Sequence, residues 1–403
     1  MESDKKRIIE ISDQLQAASS SVRILRNIAW DQEVKDQFFK AKATRLPVVS
    51  YDHYDPAAVL AQIKAIRELI DPSIQTHRWA AKIADKVEYS ALLLSSRGTS
   101  DFYKYSELLY GQPSTPLKNI GHTTLELAQH FETMFDRVKG VDLGAPLEAH
   151  FSAEDLADEM KRVVADKFGD MAPEIVMDAS LASNALAGRR RVSIRPSAHF
   201  TDKDIEQLIH HELFVHVATS LNGHMQPLKI LGEGHPGTTK TQEGLAVFAE
   251  FITGSIDLDR VRRLSDRVIG IQMAIDGADF MEVYRYFLET IDNPDQSFES
   301  AKRVFRGGVV TGGAPFTKDI VYLEGFITVH KFLRDVVRKG KWEYLDLLFA
   351  GKLDISDLPA LHQLSEMGLI NKPIFTPPWI ADKRFLLTHL SYASFLYGLG
   401  GMK

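Results

Sequence analysis

One short segment contains the residue types that metal-assisted hydrolysis requires. It reads His210-His211-Glu212-Leu213-Phe214-Val215-His216. The familiar H-E-x-x-H motif of zinc peptidases places two histidine ligands one helical turn apart, with a general base beside the first. Here one additional residue separates the histidines, which gives H-E-x-x-x-H. The candidate ligands are therefore His211 and His216, and the candidate base is Glu212.

The spacing of these histidines requires a local change in helix geometry. On a regular α-helix, side chains five positions apart point about 140° away from each other, so they cannot bind one ion. A single π-type turn brings such side chains back to the same face, and such turns are often found at functional sites. We therefore predict a helix distortion around Leu213–Val215.

The helix that carries this segment is predicted to run from Thr201 to Leu221. Thr201 with Asp204 three residues later resembles a capping box, and Asn222-Gly223 is a typical helix stop. An apolar stripe lies between these ends: Ile205, Leu208, Ile209, Leu213, Val217 and Leu221. Glu212 and His216 fall on the same stripe, where polar side chains need partners. Core residues satisfied by their neighbours remain the alternative.

A third ligand is expected downstream, because a mononuclear zinc site usually takes three protein ligands and leaves one position for water. Glu243, in Thr241-Gln-Glu-Gly-Leu-Ala246, is predicted to lie in the first turn of a new helix. The glycine after it permits close approach to a neighbouring helix. Glu250, His224 and His235 are the alternatives.

The rest of the chain predicts an α+β protein that is mostly helical. Residues 1–110 contain apolar residues at helical spacing, and residues 111–150 form a connecting segment. Residues 151–255 are predicted as the metal-binding core, with strands at Glu174–Ala179 and Arg190–Arg195. Residues 256–403 form a C-terminal helical region. A glycine-rich loop, Phe305–Phe316, interrupts that region, which we expect to form one compact unit with the core.

Composition excludes several classes of protein. The 403 residues include no cysteine, so disulfides, thiol catalysis and cysteine-bound zinc are impossible. The formal net charge of −6 does not favour capture by nucleic acid or by an anionic membrane. The sequence contains no apolar stretch long enough to span a bilayer, and its beginning lacks the apolar region of a signal peptide. We expect a soluble, cytoplasmic protein.

Two motifs together resemble a known family. His211-Glu-x-x-x-His216 followed by Thr241-Gln-Glu-Gly-Leu-Ala246 is similar to the tubulin tyrosine carboxypeptidase (microtubule-associated tyrosine carboxypeptidase) family. Its bacterial relatives are QEGLA-motif proteins of uncertain role, some of which are labelled as modulators of flavohemoglobin expression. The resemblance extends over roughly Asn184 to Gly325 and includes Arg306-Gly-Gly, Pro315-Phe-Thr-Lys-Asp319 and Tyr322-Leu-Glu-Gly325.

The resemblance implies a zincin-like core, wrapped by helices, that removes a residue from a peptide C-terminus. It also implies a Zn²⁺ ion held by His211, His216 and Glu243, with Glu212 as the general base. Such an ion polarises the scissile carbonyl and lowers the pKa of water, while the base moves a proton to the leaving amine. Tyr322 is the candidate for stabilising the oxyanion.

A substrate that ends in a carboxylate requires a cationic partner. Arg306 and Lys318, which flank the glycine-rich loop, are the candidates. The strand around Val192–Ile194 is expected to be an edge strand that pairs with an extended substrate, leaving Arg191 or Arg195 to contact it. The expected partner is thus the C-terminus of a peptide or protein, and the oligomeric state stays open.

Three other functions are alternatives to a zinc-dependent carboxypeptidase. A non-catalytic, metal-binding regulator would use the same ligands without turnover. A di-iron carboxylate protein would need paired Glu-x-x-His motifs, but Ile209 stands where Glu206 would require a histidine. A helical scaffold protein would bind no metal.

Overall fold

A computed structural model describes residues 2–400, except residues 119, 143, 146, 180 and 182; for residues 393, 394 and 396–400 it describes the backbone only. Helices account for 65% of the chain and a small sheet completes it, which confirms a mostly helical α+β protein. The helices of the first part of the chain are α1 (Glu2–Ser21), α2 (Ile24–Asn27), α3 (Gln32–Lys40), α4 (Ala57–Leu69), α5 (Gln75–Ser95), α6 (Asp101–Tyr110), α7 (Thr124–Val138) and α8 (Ala153–Phe168).

The remaining helices follow the sheet. They are α9 (Asp202–Leu208), a π-helix (Ile209–Val217), α10 (Ala218–His224), α11 (Pro236–Ile252), α12 (Leu258–Ile275), α13 (Phe280–Ile291), α14 (Pro294–Phe305), α15 (Ile320–Lys339), α16 (Glu343–Leu348), α17 (Leu358–Glu366), α18 (Pro378–Ala381) and α19 (Lys383–Gly400). None of the described helices is long and apolar enough to cross a membrane. A cytoplasmic location stays a prediction.

The sheet has three strands in the order β1, β3, β2. Strands β1 (Glu174–Met177) and β3 (Arg191–Ile194) are parallel and lie within the two predicted strands. Strand β2 (Ala185–Ala187) was not predicted, because three residues are too short for a pattern, and it pairs antiparallel to β3. The expectation that β3 is an edge strand is therefore wrong: β3 is central, and an added strand would have to pair with β1 or β2.

Among the described residues, four apolar clusters hold these elements together, and the smallest joins α7, α12 and α15 through Ala128, Val268 and Leu323. In the first, α1, α4 and α5 pack against α11, α15 and the helices that follow α15. The second joins α5 and α6 to α12, α13, α14 and the glycine-rich loop. The third joins α8 and β3 to the π-helix, through residues such as Leu156, Val192 and Leu213. The N-terminal helices thus share their core with the metal-site elements; the predicted domain boundaries stay predictions.

Helices α11 and α15 cross at a pair of glycines. A Cβ atom on Gly244 would lie 2.3 Å from the carbonyl carbon of Gly325, and one on Gly325 would lie 2.2 Å from the carbonyl oxygen of Lys240. These distances are far below van der Waals contact, so only glycine permits this approach. The expected close approach after Glu243 is confirmed. The contact also brings Glu243 on α11 near the first turn of α15.

We expect Gly325→Ala to lower the free energy of unfolding by about 2 kcal/mol or more, because the added methyl group would push the backbones of α11 and α15 apart. Urea unfolding measures this change. Gly234→Ala is the matched control, since its Cβ would meet only the side chain of Lys352 at 3.5 Å. Equal stability of the two variants would contradict the assigned role of the glycine contact.

Candidate functional site

The helix that carries the histidines contains the predicted distortion. Thr201 accepts from the Asp204 backbone and Asp204 accepts from that of Thr201, which confirms the capping box. The helix then runs through α9, the π-helix and α10 without interruption. At the end of the π-helix the Ala218 N–H donates to the Leu213 carbonyl, five residues earlier. The distortion predicted around Leu213–Val215 is confirmed, although it extends over the whole segment Ile209–Val217.

This geometry places three candidate ligands around one point. The Nε2 atoms of His211 and His216 lie 3.7 Å and 3.6 Å from Oε2 of Glu243. One ligand atom from each residue falls within 4.8 Å of the others, and the described residues contain no second such group of three. Zinc bonds of usual length, arranged tetrahedrally, hold ligand atoms about 3.3 Å apart. Small side-chain shifts therefore suffice, and the residues fit a zinc ion.

The position of Glu243 in its helix differs from the prediction. Helix α11 begins at Pro236, so Glu243 lies about two turns into the helix and not in its first turn. Pro236 and Gly237 suggest a loop, but proline is favoured at the first position of a helix. His235 caps this helix end by accepting from the Gly237 N–H. The middle of a helix, and not its first turn, thus positions the third candidate ligand.

The predicted end of the metal-site helix is also wrong. The helix continues past Asn222 and Gly223 to His224. Gly223 is required for packing and not as a stop, because a Cβ there would lie 2.1 Å from the carbonyl oxygen of Leu231. The buried Asn222 amide donates to the carbonyl oxygens of Phe349 and Phe375.

The three alternative ligands have other partners. His235 caps α11, and burial lowers its pKa to about 4. His224 hydrogen-bonds through Nδ1 to the Ser220 carbonyl oxygen at 2.7 Å. Glu250 is fully buried behind His211, with its Oε1 atom 2.7 Å from His211 Nδ1. The structure therefore groups Glu243 with the histidines and places Glu250 one layer outside them.

Strand β2 orients the candidate base. The Ala187 N–H donates to Glu212 Oε2 at 2.8 Å, and Glu212 Oε1 lies 3.9 Å from His211 Nε2. Glu212 is buried, so the backbone hydrogen bond fixes its carboxylate beside the ligands. Ala187 was not predicted, because its contribution is a main-chain group, which no side-chain pattern reveals.

Lys318 and Tyr322 flank the ligands on one side. Lys318 Nζ lies 3.3 Å from Glu243 Oε1 and 5.1 Å from the centre of the Tyr322 ring. Burial by itself raises the pKa of a carboxyl group, but Lys318 and the two histidines hold that of Glu243 well below its usual value. The glutamate is therefore ionised, as a metal ligand must be.

Further cations lie near Lys318 and Tyr322, and three of them were not predicted from the sequence. Arg303 donates to both carboxylate oxygens of Asp319, and Arg267 lies 3.8 Å from the same carboxylate. Arg260 forms a similar two-bond pair with Glu250. Each of these arginines contacts a carboxylate that lies outside its own helix, either on α11 or just before α15. The grouping of these charges therefore depends on tertiary packing.

Arg306 differs from its neighbours because it forms no ion pair with the residues that the structure describes. Its Nε atom is shielded from solvent without a hydrogen bond, and its guanidinium lies 5.5 Å from the centre of the Phe316 ring. Burial and the adjacent Arg303 lower the pKa of Arg306 to about 10. The same causes lower the pKa of Arg267 to about 10. Arg306 therefore contributes a cation without an ion-pair partner among the described residues, beside three cations that have carboxylate partners. We call Arg267, Arg303, Arg306, Lys318 and Tyr322 the basic flank.

The remaining predicted residues lie on the sheet. Arg191 is exposed, with its Nη2 atom 3.8 Å from Asp178 Oδ2. Arg195 donates to Asn184 Oδ1 at 2.6 Å. Neither forms a hydrogen bond or ion pair with a candidate ligand. They were proposed to contact a substrate paired with β3 as an edge strand, but β3 is the central strand.

Comparison with known proteins agrees with this geometry. The profile of the family described as microtubule-associated tyrosine carboxypeptidase matches residues 36–398, nearly the whole chain. The chain belongs to this family. No curated protein matches the sequence. The resemblance inferred from the two motifs is confirmed, and membership supports a peptidase of the carboxypeptidase type.

The uncompensated charge on Arg306 yields a stability prediction. We expect Arg306→Met to change the free energy of unfolding by less than about 1 kcal/mol, because the variant keeps the packing and removes only an unpaired charge. We expect Arg303→Met to lower it by about 3 kcal/mol, because Asp319 loses its two-bond partner. Urea unfolding distinguishes the two variants. Equal losses would show that Arg306 has a structural partner.

Proposed function

We propose that this protein is a zinc-dependent carboxypeptidase that removes the terminal residue from a peptide or protein. The observation that carries the proposal is the convergence of His211, His216 and Glu243 beside a buried, backbone-oriented Glu212. We also propose a zincin-like core, because a short sheet lies against the helix that bears the motif. Family membership supports the carboxypeptidase activity.

In the proposed reaction a zinc ion held by His211, His216 and Glu243 would act as a Lewis acid that polarises the scissile carbonyl and makes water more acidic. Glu212 accepts a proton from the attacking water and transfers it to the leaving amine. The Ala187 N–H keeps one oxygen of Glu212 occupied, which leaves Oε1 on the side of His211 for this transfer. Tyr322 is proposed to donate a hydrogen bond to the developing oxyanion.

The basic flank is proposed to bind the terminal carboxylate of the substrate. Lys318 lies next to the ligands, and Arg306 provides a cation without an acidic partner. A carboxylate placed between such groups forms charge-assisted hydrogen bonds. The family description names tyrosine as the residue removed and microtubules as the associated structure; for this chain, a terminal tyrosine is proposed as the first substrate to test.

Metal content and activity test the site together. We expect about one zinc per chain in the wild type, loss of zinc in His216→Ala, and retention of zinc in Glu212→Gln. Because Glu212 moves protons in the transition state, Glu212→Gln should lower kcat by roughly 100-fold or more. Zinc is measured by atomic spectroscopy, and cleavage by mass spectrometry of peptides with diverse C-termini.

The same variants decide the main alternative. If the wild type holds zinc without cleaving any peptide, and Glu212→Gln behaves like the wild type in every assay, the protein is a metal-binding regulator. Absence of zinc from the wild type would overturn the proposed metal site.

Recognition of the carboxylate has its own test. We expect Arg306→Met to raise KM for a peptide with a free C-terminus by about tenfold, since one charge-assisted hydrogen bond contributes about 1.5 kcal/mol. Cleavage of the same peptide as its C-terminal amide should be slow in the wild type and should not depend on Arg306. Arg191→Met is the control, because the exposed Arg191 side chain contacts Asp178 and forms no ion pair with a candidate ligand. Equal effects on acid and amide substrates would exclude the proposed role of the basic flank.

A further inference from the structure

We propose that Glu250 and Arg260 act as one positioning unit that orients His211 and sets the affinity of the site for zinc. Neither residue belongs to the three candidate ligands. The inference rests on the proposed metal site, but it concerns residues outside that site and has a separate test.

The geometry connects the ion pair directly to one ligand. Glu250 Oε1 lies 2.7 Å from His211 Nδ1. Arg260 donates from Nε to Glu250 Oε2 and from Nη2 to Glu250 Oε1, each at 3.0 Å. Oε1 thus serves both the imidazole and the guanidinium, so the three side chains form one continuous hydrogen-bonded chain.

This arrangement selects the form of His211 that can bind a metal. A carboxylate only accepts hydrogen bonds, so Nδ1 of His211 must carry the proton that Glu250 receives. The lone pair of a neutral imidazole is then on Nε2. Nε2 is the atom that lies 3.7 Å from Glu243 and faces the candidate metal position. Carboxylates that bind the second nitrogen of a ligand histidine fix its orientation and make it a stronger ligand.

Arg260 is needed to keep Glu250 in this position. Glu250 is 0% exposed and Arg260 is 9% exposed, so each charge depends on the other for compensation. Without Arg260 the charge of Glu250 would be buried and uncompensated, and the loss of one partner of a buried ion pair is strongly destabilising. The guanidinium also lies 6.0 Å from the centre of the Tyr322 ring, between the metal-site helix and the basic flank.

A second ion pair shows that burial alone does not explain this arrangement. Arg303 and Asp319 form a comparable two-bond pair, with Asp319 3% exposed. That pair has no hydrogen bond to a histidine among the described residues. For zinc binding, but not for activity, it therefore provides a control with the same chemistry and without a hydrogen bond to a candidate ligand.

The experiment replaces each ion pair by apolar residues of similar size. Exchanging a buried pair for apolar residues is often neutral for stability, whereas removing one partner is strongly destabilising. We expect Glu250→Leu/Arg260→Met to unfold close to the wild type in urea, but to raise the Kd for Zn²⁺ by about 10- to 100-fold. Competition with a chelator measures this Kd in the full-length protein. The control, Asp319→Leu/Arg303→Met, should bind Zn²⁺ within about threefold of the wild type.

Glu250→Gln provides a conservative variant that retains an acceptor for His211. We expect it to bind Zn²⁺ more tightly than the double variant and more weakly than the wild type. The Co²⁺ absorption spectrum of each variant reports ligand geometry independently of stability, and we expect it to change in Glu250→Leu/Arg260→Met but not in the control.

Two results would overturn the proposal while leaving the metal site intact. The first is wild-type affinity in the Glu250→Leu/Arg260→Met protein. The second is an equal loss of affinity in the Asp319→Leu/Arg303→Met control, which would indicate general disruption. A wild-type protein that binds no Zn²⁺ would overturn both this proposal and the proposed function, so the two failures are distinguishable.

Discussion

The five-residue spacing of His211 and His216 is the constraint on which the site depends. A regular α-helix would direct these side chains away from each other. The π-helix between Ile209 and Val217 instead brings their rings to 4.8 Å, centre to centre. A π-helix is less favourable than an α-helix, so its neighbours must stabilise it. The apolar packing of Leu213 and Val217 against α8 and the sheet provides that support.

Charge is the second determinant of the site. Three buried or partly buried carboxylates, Glu243, Glu250 and Asp319, have cationic partners on α12, on α14 or just before α15. Arg306 has no such partner among the described residues, and burial lowers its pKa. A cation left without an ion pair often marks a binding site. The proposed anionic substrate would supply the missing partner.

Helix α11 connects these features. It carries Glu243 toward the histidines and Glu250 behind His211, two turns apart on similar faces. Its contact with α15 at Gly244 and Gly325 brings Lys318 and Tyr322 beside the ligands. One helix therefore fixes a candidate ligand, the group that orients another ligand, and the distance to the basic flank. A change in its position would affect all three.

The local features of this protein are predictable from residues that are close together in the chain. The capping box at Thr201, the apolar stripe and the unusual histidine spacing depend on neighbouring residues, so they predicted the helix and its distortion. The two motifs together also indicated the family, and the glycine after Glu243 indicated a close helix contact.

Contacts between groups that are distant in the chain depend on tertiary packing. Glu250 and Glu243 are both plausible ligands from spacing, and only the packing of α11 against the π-helix separates them. No side-chain pattern predicts the contact of the Ala187 N–H, because it is a main-chain group. The partners of Arg260 and Arg303 cannot be predicted from a local pattern either, because they lie on other elements of the fold. The central position of β3 likewise depends on the short strand β2, whose three residues are too few to form a recognisable period.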